Sequence, residues 1–338
     1  MLMFLAGVLE QMDLALEHIS KRGVHDARFG LMLADNAVEL ALHQIAKEKH
    51  SERRYRYIYG DIPHAREAEE ALNGGFDAKL KFAKLDGQLQ EEIAGTLRVM
   101  HTFRNELYHL GIQHEEILRD LAEFHFVTAC DFLSQMRTAR IFWYRDAEVP
   151  ARAQKYLRDA RSFSSAASKD FPDACRSMQA QCGYSRSRLV TSLADQMDGV
   201  IDETDENLTI VATGVYQHQR QTRDEAVVEF QAWELAFSEG GETEAKKHGW
   251  PGGDRRELLV WLMAHYPFKD RRDPIPRWKK QAIRLRSNGN PHKALQNYTS
   301  FMAVTAKLRE AMSLAAAAAE EEIDRQADEY RERMRDRD

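Results

Sequence analysis

Proline and glycine are scarce in this sequence, at 8 and 18 of 338 residues. With so few helix breakers, and with Ala, Leu, Glu, Arg and Gln plentiful, the composition favours helix over strand. Cysteine is scarcer still. Cys130, Cys175 and Cys182 are odd in number and share no Cys-x-x-Cys spacing, which argues against a disulfide framework and a zinc finger and fits a reducing cytoplasm. No window approaches the ~20 consecutive apolar residues of a membrane span, so no membrane partner is expected. The opening stretch, "MLMFLAGVLEQMDLALEHIS", has no basic segment ahead of its short apolar run and no cleavage-like site. Its Leu5, Leu9, Met12, Leu16 and Ile19 recur at helical spacing and predict a first core helix. Positive charge is in deficit as well: 48 Lys and Arg against 54 Asp and Glu leave a net −6. Chains that coat nucleic acid nonspecifically are basic overall, so contact with nucleic acid here requires a local positive site.

What the sequence has in abundance is amphipathic periodicity. Residues 26–49 predict a helix with Asp26 as N-cap and with Phe29, Leu33, Leu40 and Ala41 on one face. Asn36 falls on that face and Glu39 close to it. Residues 51–75 are looser. "FDAKLKFAKL" and "LQEEIAGTLRVMHTF" are helical in period, and residues 113–142 predict a long helix with Leu118, Leu121, Phe124, Thr128 and Phe132 facing inward. Pro150 is the first clear punctuation and suggests two regions, 1–149 and 150–338. Beyond it "SFSSAASKDFPDA" reads as a loop, helical patterns return near 186–204, 221–238, 254–265 and 277–287, and "SEGGETEAKKHGWPGGD" reads as a Gly-rich connector. A final helical run extends from Pro291 to the C-terminus. The predicted fold class is all-α: a helical bundle followed by a second helical region with a long C-terminal helix.

One segment breaks the pattern. "HTFRNELYHLGIQHEE", residues 101–116, crowds Arg104, Asn105, Glu106, Tyr108, His109 and His114 between two apolar-periodic runs. Glu106 and His109 form Glu-x-x-His, a spacing used in di-iron bundles, but that architecture needs a second copy and the chain has none. A mononuclear site from His101, His109 and His114 matches no helical metal motif, so no metal or other cofactor is expected. A plain helix junction is the bland alternative, since Arg, Asn and His cap exposed carbonyls and face water. RNA chemistry is the third. RNA carries its own 2′-hydroxyl nucleophile, so cleavage needs only proton transfer, which suits His, and a cation for the charge developing on phosphorus, which suits Arg. Five positions of ideal helix turn through about 140°. Arg104 and His109 therefore converge only in an irregular helix end or across an interface between helices or subunits.

The run "RNELYH" resembles the signature of the HEPN superfamily, Arg followed after four to six residues by His, often with Asn, Asp or His directly after the Arg. Two other stretches fit the bare spacing, Arg119 to His125 and Arg286 to His292. Context separates them. In the family the motif follows one helix and opens the last long helix of the bundle, and an earlier helix carries a polar residue on an apolar face. "LRVMHTFRNELYHLG", then "EEILRDLAEFHFVTACDFL", fits that order, and "RFGLMLADNAVELALHQIAKE" resembles the earlier helix. The resemblance covers roughly residues 10–145. It implies a metal-independent endoribonuclease that leaves a 2′,3′-cyclic phosphate and a 5′-hydroxyl, in a toxin or anti-phage setting, with an antitoxin or other regulatory partner. It also implies a homodimer whose two motifs face a shared cleft. Arg104 and His109 match the catalytic pair and Asn105 the polar position after Arg. Tyr108 is placed to stack on a base or to pack, and Asn36 or Glu39 to orient the Arg or, more simply, to be a satisfied polar residue in a helix junction. The alternative within the same resemblance is a non-catalytic bundle that binds RNA, nucleotide or protein.

Outside that region, "KDRRDPIPRWKKQAIRLRS" (269–287) holds eight Lys and Arg against two Asp. A helix starting at Pro276 would place Trp278, Ala282 and Leu285 on one face and Arg277, Lys280 and Arg284 on another. Together with Lys279 and Arg286 these cations form the candidate RNA-binding surface; a solvated face anchored by a buried Trp is the simpler reading. The C-terminal run alternates acids and Arg, with a narrow stripe of Ile323, Ala327, Tyr330 and Met334 that could meet a second copy, a partner or the bundle itself.

Overall fold

The computed structural model describes residues 2–21, 23–52, 63–109, 115–137, 149–157, 166–216 and 220–335, without the side chains of Leu2, His109 and residues 166–168. His114 and residues 138–142 of the predicted long helix lie outside the described residues. Those described form fourteen helices and no strand, so the chain is all-α, and none of the helices is long and apolar enough to cross a membrane.

Two compact units divide the chain: residues 1–193 with 288–296, and residues 194–287 with 297–338. The division falls at 193/194 rather than near Pro150, because the residues just past that proline belong with the first unit. Arg152 and Lys155 donate to the carboxylate of Asp13 at 2.9 and 2.7 Å, and the Tyr156 hydroxyl does so at 2.6 Å.

In the first unit, α2 (Val24–Glu52) is the hub. It packs against α1 (Leu2–Ser20), α3 (Ala65–Asn73), α4 (Phe76–Leu85), α5 (Glu91–His109) and α6 (Glu115–Gln135). Its buried face is small: Ala27, Gly30, Ala34, Ala37 and Ala41 alternate with Leu31, Val38, Leu42 and Ile45. The contact with α1 is close. A Cβ on Gly30 would stand 2.4 Å from Ile19 Cγ1 and 3.1 Å from the Ala15 carbonyl oxygen. Of the expected inward residues of α2, Ala41 is buried and Leu33 half-buried, but Phe29 and Leu40 are 52% and 43% exposed. Packed against five helices, α2 buries Leu31, Val38, Leu42 and Ile45 along with its small residues and leaves Phe29 and Leu40 exposed. Asp26 is not the N-cap either; it lies in the first turn and its carboxylate meets His18 Nδ1 at 2.8 Å.

Elsewhere in this unit periodicity is a reliable guide. Leu5, Leu9, Met12, Leu16 and Ile19 are buried on α1, and Leu118, Leu121, Phe124, Thr128 and Phe132 on α6. After the single turn α7 (Ala151–Gln154) comes α8 (Ala166–Gln181), where a loop was expected. Pro172 lies inside α8, yet Phe171, Ala174, Cys175 and Met178 form a fully buried i, i+3, i+4, i+7 stripe. Burial of that stripe against α6 outweighs the helix-breaking proline.

The division between units passes through α9 (Arg186–Thr213). In the second unit, α10 (Arg223–Phe237) and α12 (Arg255–His265) each start with a capping box, Thr222 with Glu225 and Asp254 with Glu257. Around them Ala232, Ala236, Trp250, Leu258 and Leu262 make a small core, joined by Ala245 of the short α11 (Gly241–Lys247) inside the expected connector. In α13 (Ile275–Arg286), Trp278, Ala282 and Leu285 are buried as the spacing predicts, and Trp278 meets Phe301 edge-on at 5.6 Å. The last helix, α14 (Pro291–Arg335), is 45 residues long, about 68 Å.

Candidate functional site

The "RNELYH" motif occupies the last turns of α5 and does not open α6 as expected, so Arg104 and His109 lie five positions apart on one continuous helix. Acidic Glu91 and Glu92 open that helix, where its dipole favours them, and Leu97, Met100, Phe103 and Leu107 bury one face. The far end is tied down from α2, where Arg28 donates to the Leu107 carbonyl at 2.7 Å. A cation on the orphan carbonyls of a helix C-terminus both bonds them and opposes the dipole. The motif is thereby anchored to the hub helix.

At the centre is Asp35 of α2, fully buried. One carboxylate oxygen, Oδ2, receives His101 Nδ1 at 2.9 Å and lies 3.3 Å from Arg104 Nε. The other, Oδ1, has no hydrogen-bond partner among the described residues and lies 3.8 Å from Nε2 of the buried His125 on α6. Three helices thus bring one carboxylate, one guanidinium and two imidazoles together. Arg104 also donates from Nη1 to Asn105 Oδ1 at 2.9 Å and keeps 27% of its side chain exposed, leaving an edge for a ligand's oxygens. His101 stacks flat on Phe76 with ring centroids 3.9 Å apart. Burial pushes the pKa of His125 down to about 4, against the pull of Asp35, so its ring is neutral at pH 7.

Asp35, not Asn36 or Glu39, is the residue that holds Arg104. Glu39 instead accepts from Lys79 at 2.8 Å, and Asn36 lies at the half-buried edge of α2. Tyr108 is 62% exposed. His109 is the last residue of α5, and its side chain lies outside the described residues. His125, the end of one of the rejected Arg–His spacings, is drawn into the site, whereas its Arg119 bonds Glu123 at 3.2 Å on the same helix.

Asp35, Glu39 and His101 also offer ligand atoms within 4.8 Å of one another, a grouping that suits a cation. Both carboxylates already face a fixed positive charge, Arg104 on Asp35 and Lys79 on Glu39. A metal would have to displace or outcompete those charges.

The candidate RNA surface on α13 is largely neutralised. Arg277 pairs with Asp270 at 2.7 Å, Lys279 with Asp205 at 2.9 Å, and Arg286 with Asp195 and Asp198, both at 2.7 Å. Lys280 and Arg284 are exposed and make no ion pair among the described residues. Arg277 and Arg284 do come together, with Lys269, around a cleft of about 400 Å³ floored by Trp278 and Phe301. The carboxylates that pair with Lys279 and Arg286 come from α9, more than 70 positions away in sequence, which is why a local count of charges missed them.

No family model, no curated protein and no solved structure matches this chain.

Proposed function

We propose that the chain is a metal-independent endoribonuclease of HEPN type, with the site built on Arg104, His109 and Asn105. The observation that carries the reading is the Arg104–Asp35 pair beside His101: a buried carboxylate on an earlier helix fixes the motif's Arg at the end of the helix that precedes α6. In the reaction the 2′-oxygen attacks phosphorus as its proton passes to a histidine, and the P–O5′ bond breaks as the leaving oxygen takes a proton. Arg104 donates to the phosphoryl oxygens, where negative charge grows. His109 is assigned one proton transfer. His101 suits the other, because Asp35 holds its Nδ1 and leaves Nε2 for exchange. The products are a 2′,3′-cyclic phosphate and a 5′-hydroxyl. Pooling of two motifs in a homodimer, and control by an antitoxin or other partner in a toxin or defence setting, follow from the resemblance.

The test is incubation of the purified chain with RNA in EDTA, followed by end-group analysis. Cleavage by wild type, lost in both Arg104→Ala and His109→Ala, is expected. Equal cleavage by wild type and His109→Ala would sink the proposal, as would a strict requirement for a divalent ion. A second reading, a bundle that binds RNA or protein without cutting, draws on the fixed carboxylate partner of Arg104, which also suits a purely structural ion pair. It predicts binding with no products.

A further inference from the structure

The distal part of α14 carries an apolar stripe that the described residues leave largely exposed. Ile323, Tyr330 and Met334 are 46%, 64% and 46% exposed, with half-buried Ala327 between them. Gln326 bonds Tyr216 as well as Glu322; the other polar bonds given for residues 324–335 among the described residues stay within the helix: Arg325 with Glu322 and Glu329, Arg331 with Asp328, Arg333 with Glu329. The spacing 323, 327, 330, 334 alternates four and three, the d–a–d–a seam of a two-stranded coiled coil.

We propose that two copies of this chain pair antiparallel along this seam, about a two-fold axis. The charges beside the stripe select the register. With Ile323 opposite Met334 of the second copy and Ala327 opposite Tyr330, four apolar layers form, and symmetry makes the contact self-complementary. The flanking positions then set Asp324 against Arg331 of the second copy, twice. Sliding the pair by one heptad in one direction sets Asp324 against Asp324; in the other it sets Arg331 against Arg331. A parallel pairing stacks Glu320 on Glu320 and gives Arg331 only Gln326. Of these arrangements only the first fills its layers and matches its charges. Arg331 already reaches Asp328 at 2.8 Å, but both side chains are about 70% exposed, so that pair is easily exchanged.

The test uses the full chain and two charge variants, Asp324→Arg and Arg331→Asp, followed by sedimentation equilibrium across ~10–500 µM, since two short amphipathic segments associate weakly. Wild type is expected to self-associate, and each variant alone about tenfold more weakly, because both flanking pairs become like-charged. Mixed together, the two variants restore both pairs, so an equimolar mixture is expected to form heterodimers at least as well as wild type self-associates. Simple fraying of the helix in one variant would not be rescued by mixing. A wild type that stays monomeric throughout, variants that self-associate like wild type, or a mixture that forms no heterodimer would each overturn the proposal.

Discussion

Lowering the pH from 7 to 5 is expected to cost this protein about 2 kcal/mol of stability through a single residue, His125. Its ring is fully buried and neither ring nitrogen has a hydrogen-bond partner among the described residues. Burial holds its pKa near 4, against an ordinary value of 6.5, even with Asp35 drawing it upward. The unfolded chain takes up a proton at this histidine near pH 6.5, whereas the folded chain refuses it until about pH 4. Between those values the unfolded state binds more protons, so stability falls as pH falls. Linkage puts the loss near 2 kcal/mol at pH 5 and near 3 kcal/mol at pH 4. In His125→Leu this contribution is absent. At pH 7.5 that variant should lie within about 1 kcal/mol of wild type, because a neutral ring without hydrogen bonds has none to lose. Urea unfolding followed by far-ultraviolet circular dichroism, in steps from pH 7.5 to 4.5, measures both chains. Parallel curves for wild type and His125→Leu between pH 7 and 5 would refute the reasoning.

Two further outcomes are expected from the same unit. Asp35→Ala should destabilise the fold by about 2–3 kcal/mol, less than for a sealed ion pair, since Arg104 and His101 both reach solvent. Combined with Arg104→Ala in a denaturation cycle, it should fall short of additivity by about 1 kcal/mol; strict additivity would mean the pair does not couple. Gly30→Ala should cost about 2 kcal/mol by driving a methyl group against Ile19 and the Ala15 carbonyl. Adding Ile19→Ala, which removes the clashing Cγ1, should give a double variant less destabilised than the sum of the two changes.

The sequence made the helices far more legible than the site. On α1 and α13 one side of each helix is buried, and a simple period suffices to find it; α6 is buried all round from Asp120 to Cys130, so any apolar stripe there lies inside. On α2 the period misleads, because a helix packed against five others buries small and large residues over a wide face, and Phe29 and Leu40 no longer mark the inside. Asp35 was hidden for the same reason. It sits among Leu31, Ala34 and Val38, where a carboxylate is affordable only through partners on α5 that are 66 or more positions away in sequence. Asn36 and Glu39 attracted notice by lying on the face that Phe29 and Leu40 falsely marked as inward. His101 was visible only as a metal candidate, and His125 only as a poor match to a spacing. Even the α8 helix was masked by one proline and a run of serines, although its apolar stripe was present. Chemistry assembled from several helices leaves little trace along any one of them.

The acids of α9 give the face of α13 an unexpected relation to salt. A cation already held by a carboxylate meets an incoming phosphodiester by anion exchange: one oxyanion leaves as another arrives. The carboxylates released from Arg286 and Lys279 recruit cations of their own from solution, offsetting those shed by the nucleic acid. Lys280 and Arg284, without an ion pair among the described residues, lack that offset, at about −0.7 each in the logarithmic slope for a single strand. A polyanion bound on this face would therefore hold on as ionic strength rises better than its count of basic residues suggests. Asp195, Asp198 and Asp205 would decide which polyanions compete well enough to be admitted.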